Sequence, residues 1–308
     1  MNSAKPGKYL QIPKIKKPRR ISQEDLGKVL TPCNLNGIIL KMLKKYFYII
    51  LFVLPFISCD KGGAGKALVI AGSTSVQPFV EGLEEAYSQK HKTVEINVQG
   101  GGSSAGIQSA LCGTADIGMS SRHLSAEEEK ELKIVPIAYD AVIVILNPRN
   151  KIENISLEDI RKIFSRKILN WKELGGEDKE INAITREDGS GTRGAFQELV
   201  MKEIPISNAC MVQDSNGSVR EIVKADPWSV AYISLGLVDK DVKAIKIDGI
   251  LPDRAAVKEK KYNFMRPFLF VYTGELKKDA KDFVDFVLSD EGQEFMEKEG
   301  LIAVKHLM

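Results

Sequence analysis

Three short segments rich in glycine and hydroxyl side chains hold the residues best suited to chemistry. They are Gly72-Ser73-Thr74-Ser75, Gly100-Gly101-Gly102-Ser103-Ser104-Ala105-Gly106 and Arg186-Glu187-Asp188-Gly189-Ser190-Gly191-Thr192-Arg193. Glycine lets the backbone approach a bound group closely, Ser and Thr hydroxyls donate hydrogen bonds, and a guanidinium grips two oxygens at once, a combination suited to an oxyanion. One such segment alone is an ordinary capped turn. Three of them, one carrying Arg186, point to an anion cage. A P-loop needs a lysine after its last glycine, and here Gly106 is followed by Ile107 and Gln108. A nucleophile elbow needs Gly-x-Ser-x-Gly, which neither the 100–106 segment nor Gly189-Ser190-Gly191-Thr192 supplies. The three histidines, His91, His123 and His306, lie far from these segments in sequence, which leaves a serine hydrolase poorly supplied. The cysteines, at 33, 59, 112 and 210, lack the paired short spacings of a zinc site. Neither a catalytic group nor a metal nor a cofactor is expected.

Each segment follows a short apolar run and precedes a helical pattern. Ala67 to Ala71 reads as a buried strand, and Val76, Phe79, Val80, Leu83 and Tyr87 recur at helical spacing. Val94 to Val98 and Asp116 to Met119 read as strands, Ile107 and Leu111 mark a helix between them, and Ser125 to Leu132 reads as a helix that Ser125 and Glu128 close with a capping box. Two apolar stretches, 134–138 and 142–146, flank Tyr139-Asp140-Ala141. Beyond them come helix 157–164, strand 181–185, helices 192–200 and 219–225, strands 230–234, 244–247 and 268–272, and terminal helices 278–288 and 291–299. This rhythm implies an α/β fold of mostly parallel sheets with helices on both faces, and it puts the three segments at the carboxyl ends of strands, where such folds bind ligands. Crossings near 140–147 and 262–272 predict two lobes, residues 67–142 with 262–308 and residues 143–261. Cys112 and Cys210 could pair in an oxidising compartment, but two buried free thiols are the simpler expectation.

The chain has 308 residues and a formal charge of +3, from 44 Lys and Arg against 41 Asp and Glu. Residues 1–58 hold 11 of the basic side chains and only Glu24 and Asp25, so the remainder is acidic by six charges. A net-acidic body lacks the basic footprint that nucleic acid requires. Met42-Leu43-Lys44-Lys45, an apolar run from Tyr46 to Ile57, and Ser58-Cys59-Asp60 have the layout of a secretion signal. The run is too short to span a bilayer, which takes about 20 residues. Residues 1–41 read as an extension upstream of that signal, residues 42–58 as the signal peptide and residues 59–66 as a tether.

Cys59, after the apolar run and before a Gly-rich stretch, resembles the acylated cysteine of a bacterial lipoprotein, with Phe56 where Leu, Val or Ile is usual. Asp60 would favour inner-membrane retention under enterobacterial sorting. From Leu68 onward the chain resembles the PstS-like phosphate-binding proteins of Pst-type ABC transporters. The likeness rests on Gly72 to Pro78, Gly100 to Gly106, Ala115-Asp-Ile-Gly-Met-Ser-Ser-Arg122, Arg186 to Thr192 and Ser215-Asn-Gly-Ser-Val219. It implies a two-lobe periplasmic-binding-protein fold of type II, and a monomer that closes on inorganic phosphate and delivers it to a permease, with sulfate or molybdate as alternative ligands and a phosphatase as the remaining rival. It further implies that Thr74, Ser75, Ser103, Arg186, Ser190, Gly191 and Thr192 contact phosphate and that Asp188 orients Arg186. Family members place an aspartate at the position of Ser121, where it accepts the phosphate proton. Ser121 can accept as well as donate, and Asp140 is the candidate substitute acceptor.

Overall fold

The computed structural model describes residues 67–306, so the expected signal peptide and Cys59 lie outside the described residues. Strands β1 (Leu68–Gly72), β2 (Ile96–Gly100), β3 (Ile117–Ser120), β4 (Lys133–Leu146), β5 (Asn154–Ile155), β6 (Asn182–Arg186), β7 (Met211–Gln213), β8 (Ser229–Ser234), β9 (Lys243–Ala244), β10 (Lys246–Ile247) and β11 (Met265–Tyr272) follow one another along the chain. Between and after them lie helices α1 (Gln77–Lys90), α2 (Ser103–Leu111), α3 (Ala126–Glu131), α4 (Leu157–Phe164), α5 (Gly191–Phe196), α6 (Asn216–Ala225), α7 (Arg254–Lys258), α8 (Lys278–Leu288) and α9 (Asp290–Lys298). The main sheet runs β2-β1-β3-β11-β4-β8-β6-β7, with β9 added on β4. Helical crossovers make β1 parallel to β2 and β3, and β6 parallel to β7 and β8. Within this sheet antiparallel pairing enters where β4 and β11 cross the middle.

Two large apolar cores lie on this sheet, with a third, smaller cluster around Ile107, Leu124, Leu132, Leu269 and Val271. One collects Leu68, Ile70, Phe79, Leu83, Phe270 and Phe283, and the other Ile143, Phe164, Trp171, Phe196, Val230 and Tyr232. β4 serves both, with Ile137 and Ala138 in the first and Ala141 to Leu146 in the second. The two apolar stretches that flank Tyr139-Asp140-Ala141 are one continuous strand of 14 residues, which ends where the sequence put a boundary, at Asn147-Pro148. Tyr139 exchanges backbone hydrogen bonds with Ile302 at 2.8 and 2.9 Å, and Asp140 stands opposite Arg266, so polar residues in mid-strand keep their ladder. The capping box is present as expected, with Ser125 Oγ accepting from the Glu128 amide and Glu128 reaching back to the Ser125 amide. The expected helix 192–200 is α5 followed by a π-helical turn, Gln197–Met201. Both body cysteines are free, but Cys112 is exposed at the end of α2 rather than buried, while Cys210 is buried. Among the described residues no helix is long and apolar enough to cross a membrane.

Candidate functional site

The three segments converge at strand ends, stitched together by their own backbones. The Gly102 amide donates to Gly72 O at 2.9 Å and the Ser104 amide to Gly189 O at 3.1 Å. Gly191 is required by this approach, because a Cβ there would lie 2.1 Å from Ser103 Oγ and 2.4 Å from Ser121 Oγ. Two hydroxyl clusters result. In the first, Ser73 Oγ donates to Ser121 Oγ at 2.8 Å, the Ser121 amide donates to Ser103 Oγ at 3.0 Å, and Ser103 Oγ and Ser121 Oγ are 3.3 Å apart. In the second, Ser75 Oγ and Thr192 Oγ1 are 2.7 Å apart, and Asn216 Nδ2 donates to Ser75 Oγ at 2.8 Å.

Two arginines, each only 1% exposed, stand at the site, and one of them, Arg266, touches both clusters. Arg186 ends β6. Its Nε and Nη2 donate to the two Glu187 oxygens at 2.9 and 3.0 Å, and Nη2 also reaches Thr74 Oγ1 at 3.0 Å and Asp214 O at 2.9 Å. Its Nη1 is buried without a partner. Behind it, Tyr232 Oη accepts from the Arg186 amide at 3.3 Å, and burial pushes that phenol up to about 12. Arg193 donates to Arg186 O at 2.9 Å and fixes the strand end from the other side.

The second arginine, Arg266 of β11, donates from Nε and Nη2 to Asp140 Oδ2 at 3.0 and 2.9 Å. Its Nη1 donates to Thr192 Oγ1 at 2.9 Å, with longer contacts of 3.3 Å to Ser121 O and 3.4 Å to Ser121 Oγ. Asp140 Oδ1 closes no hydrogen bond, although the Ser234 hydroxyl and the Ala141 amide lie close enough to favour its charged form. Burial raises the Asp140 carboxyl above the ordinary aspartate value, and the adjacent guanidinium opposes that rise.

Thr74, Ser75, Ser103, Ser121, Asp140, Arg186, Ser190, Gly191 and Thr192 are thus gathered in one region; Ser190 caps α5, its hydroxyl accepting from the Arg193 amide at 3.3 Å. Asp188 needs correction. Its side chain is 95% exposed and pairs with Arg193 at 3.2 Å, whereas the carboxylate that orients Arg186 is Glu187. The residue beside the arginine turns toward it at the strand end, and the next one points to solvent. Ser121 also departs from expectation, since Ser73 and Arg266 already donate into its oxygen. Sequence reasoning missed Arg266 and Asn216. Arg266 sits inside an apolar strand far from any glycine loop, and Asn216 lies in the Ser215–Val219 motif that carried the resemblance but no assigned role.

The model of the PBP superfamily domain matches residues 60–291. Among curated relatives, the phosphate-binding protein PstS of Borreliella burgdorferi is 31% identical over 261 residues, covering 80% of this chain and 94% of the relative. PstS of Bacillus subtilis is 32% identical over 237 residues, covering 75% and 78%. This chain belongs to the PstS-like phosphate-binding family. Among solved family structures, a phosphate ABC transporter substrate-binding protein from Clostridium perfringens with bound phosphate is 43% identical, with a TM-score of 0.75, and covers 78% of this chain and 100% of its own. An ABC-type phosphate transport receptor from Vibrio cholerae is 33% identical with a TM-score of 0.64, covering 76% and 99%. The curled mixed sheet with its flanking helices is the type II architecture of these PstS-like proteins.

Proposed function

We propose that this protein binds inorganic phosphate outside the cytoplasm and delivers it to the permease of an ABC transporter, closing two lobes on the anion. The observation that carries the reading is Arg186 Nη1, a charged donor buried without a partner on a guanidinium whose Nη2 reaches Thr74 Oγ1 in the first glycine and hydroxyl segment. A cation oriented at its other nitrogens by Glu187 and backbone carbonyls is preorganised for an oxyanion, and the names of the relatives specify which one. Thr74, Ser75, Ser103, Ser190, Gly191 and Thr192 supply further donors. Asp140 Oδ1 accepts the proton of phosphate; sulfate has none to give and would leave a buried acceptor unpaired.

Residues 67–142 with 262–308 form one lobe and residues 143–261 the other, a division supported by the two cores and by β4 running through both. Cys59 anchors the chain through lipid, residues 60–66 serve as the tether, and the protein acts as a monomer. Binding and release involve no covalent step. Calorimetry of ligand-stripped protein against phosphate, sulfate and molybdate tests the assignment: phosphate binds tightest, and stronger binding of either other anion overturns it. Replacing Cys59 by Ala releases the protein from the membrane fraction if the anchor is correct.

A further inference from the structure

The geometry points to a second binding site, separate from the anion cage, for a small organic carboxylate with an apolar body. A cavity of about 350 Å³ opens between α4, the π-helical turn, the turn after β10 and the segment 262–264 that leads into β11. Small-molecule pockets span about 300–1,000 Å³, and this one shares no lining residue with the cage. Leu157, Leu199, Ile247, Ile250 and Phe264 give it an apolar wall. That wall is fixed before any ligand arrives. Tyr262 Oη donates to Val142 O at 2.9 Å, the Val142 amide donates to Phe264 O at 2.9 Å, and Arg161 Nε donates to Val200 O at 2.7 Å, which ties α4 to the π-helical turn.

The charged groups of the wall select the ligand. Arg161, Lys202 and Lys261 stand there against a single carboxylate, Asp248, whose Oδ1 already accepts from the Leu157 amide at 3.3 Å. With Nε used, Arg161 keeps Nη1 and Nη2 without a hydrogen bond among the described residues. Lys202, two residues after the carbonyl that Arg161 holds, is exposed and makes no ion pair among the described residues. Lys261 is paired only with Glu259, which lies outside the wall. An inorganic anion would leave the apolar wall unused, and a neutral or cationic ligand would leave Arg161 and Lys202 unanswered. A carboxylate offers two oxygens to the two terminal nitrogens of a guanidinium, and its apolar body covers the wall.

The backbone around the cavity is unusual in the same place. Of four non-glycine residues with left-handed backbone among the described residues, Lys202 (φ 55°) and Asp248 (φ 49°) line the cavity and Lys260 (φ 55°) precedes Lys261. Two of these are lysines where a chain ordinarily places glycine or asparagine, and such conformations, like π-helical turns, concentrate at ligand sites.

Calorimetry with decanoate on ligand-stripped protein tests the site, and its outcome does not depend on which anion fills the cage. A single decanoate binds per chain, and decyltrimethylammonium, with the same tail and the opposite charge, binds at least about tenfold more weakly. Arg161→Gln weakens decanoate by about tenfold or more, and so does Lys202→Glu, a charge reversal at an exposed position that keeps the test decisive if Arg161→Gln does not fold. Saturating phosphate leaves decanoate affinity unchanged. No decanoate binding, equal binding of the two amphiphiles, or unweakened binding by the folded variants overturns the site. Displacement of decanoate by phosphate overturns it as well, because it would put the carboxylate in the cage.

Discussion

Removing the Arg186 guanidinium separates the clamp from its scaffold. In Arg186→Ala the ligand loses Nη1, which has two N–H groups and no other partner. Charge-assisted hydrogen bonds contribute about 1.5–3 kcal/mol each, so the pair accounts for about 3–6 kcal/mol. That is roughly two to four powers of ten in Kd. The figure is a cost of truncation, since Glu187 also loses its ion pair, with contacts of 2.9 and 3.0 Å. Arg193→Ala is the control. That guanidinium binds Arg186 O at 2.9 Å and Thr185 Oγ1 at 3.2 Å, and its ion pair is with an Asp188 side chain that is 95% exposed. Exposed pairs contribute about 0–1 kcal/mol, and the loss of support for Arg186 adds about 1 kcal/mol, so phosphate affinity stays within roughly thirtyfold of normal. Calorimetry on ligand-stripped protein measures both variants, and circular dichroism establishes that they are folded. Comparable small losses in the two would refute Arg186 as the clamp, and a large loss in Arg193→Ala alone would transfer that role to Arg193.

Glu187→Gln weakens phosphate binding by about fivefold through a less firmly held Arg186, while Asp188→Asn leaves it unchanged; paired calorimetric titrations decide between the two carboxylates. Asp140→Asn lowers phosphate affinity and lets sulfate compete, and it also lowers the thermal midpoint, because it breaks a fully buried ion pair whose loss costs about 3–5 kcal/mol. A midpoint equal to that of the unaltered chain contradicts the Asp140–Arg266 pairing at 2.9 Å. Saturating phosphate raises the thermal midpoint, by mass action on the native state, and small-angle scattering detects a smaller radius of gyration; identical curves for stripped and loaded protein exclude lobe closure. The Glu128 carboxyl is held below its ordinary value of 4.5 chiefly by its hydrogen bonds to Arg122, so its contribution to stability is present above that value and is lost as pH falls through the depressed one. Glu128→Gln therefore flattens the acid limb of the stability curve below pH 4.5, and an unchanged limb rules the pair out as a contributor.

Elements with strong local signals were legible in the sequence. Helices Leu157–Phe164 and Lys278–Leu288 have the bounds their apolar spacing gives, and the Ser125–Glu128 box forms because both partners lie within one turn. The glycine and hydroxyl segments likewise lie at strand ends and meet there, as their position after apolar runs suggested. The crossing near 140–147 was legible as extended chain, but that both apolar stretches form one strand was not, because it depends on Ile302 and Arg266 supplying the opposite side.

What the sequence by itself determined is the class of the protein: apolar runs alternating with helical patterns, three donor-rich loops after strands, and a family motif for each loop. Only the tertiary structure decided which carboxylate serves which cation. Glu187 and Asp188 are adjacent in sequence and identical in charge, and strand-end geometry alone turns one onto Arg186 and the other into solvent. Asp140 and Arg266 are 126 residues apart, and antiparallel pairing of β4 with β11 makes them neighbours. The physical reason is that hydrogen-bond direction and ion pairing depend on distances of about 3 Å, which local sequence fixes within a turn but long-range strand register fixes everywhere else.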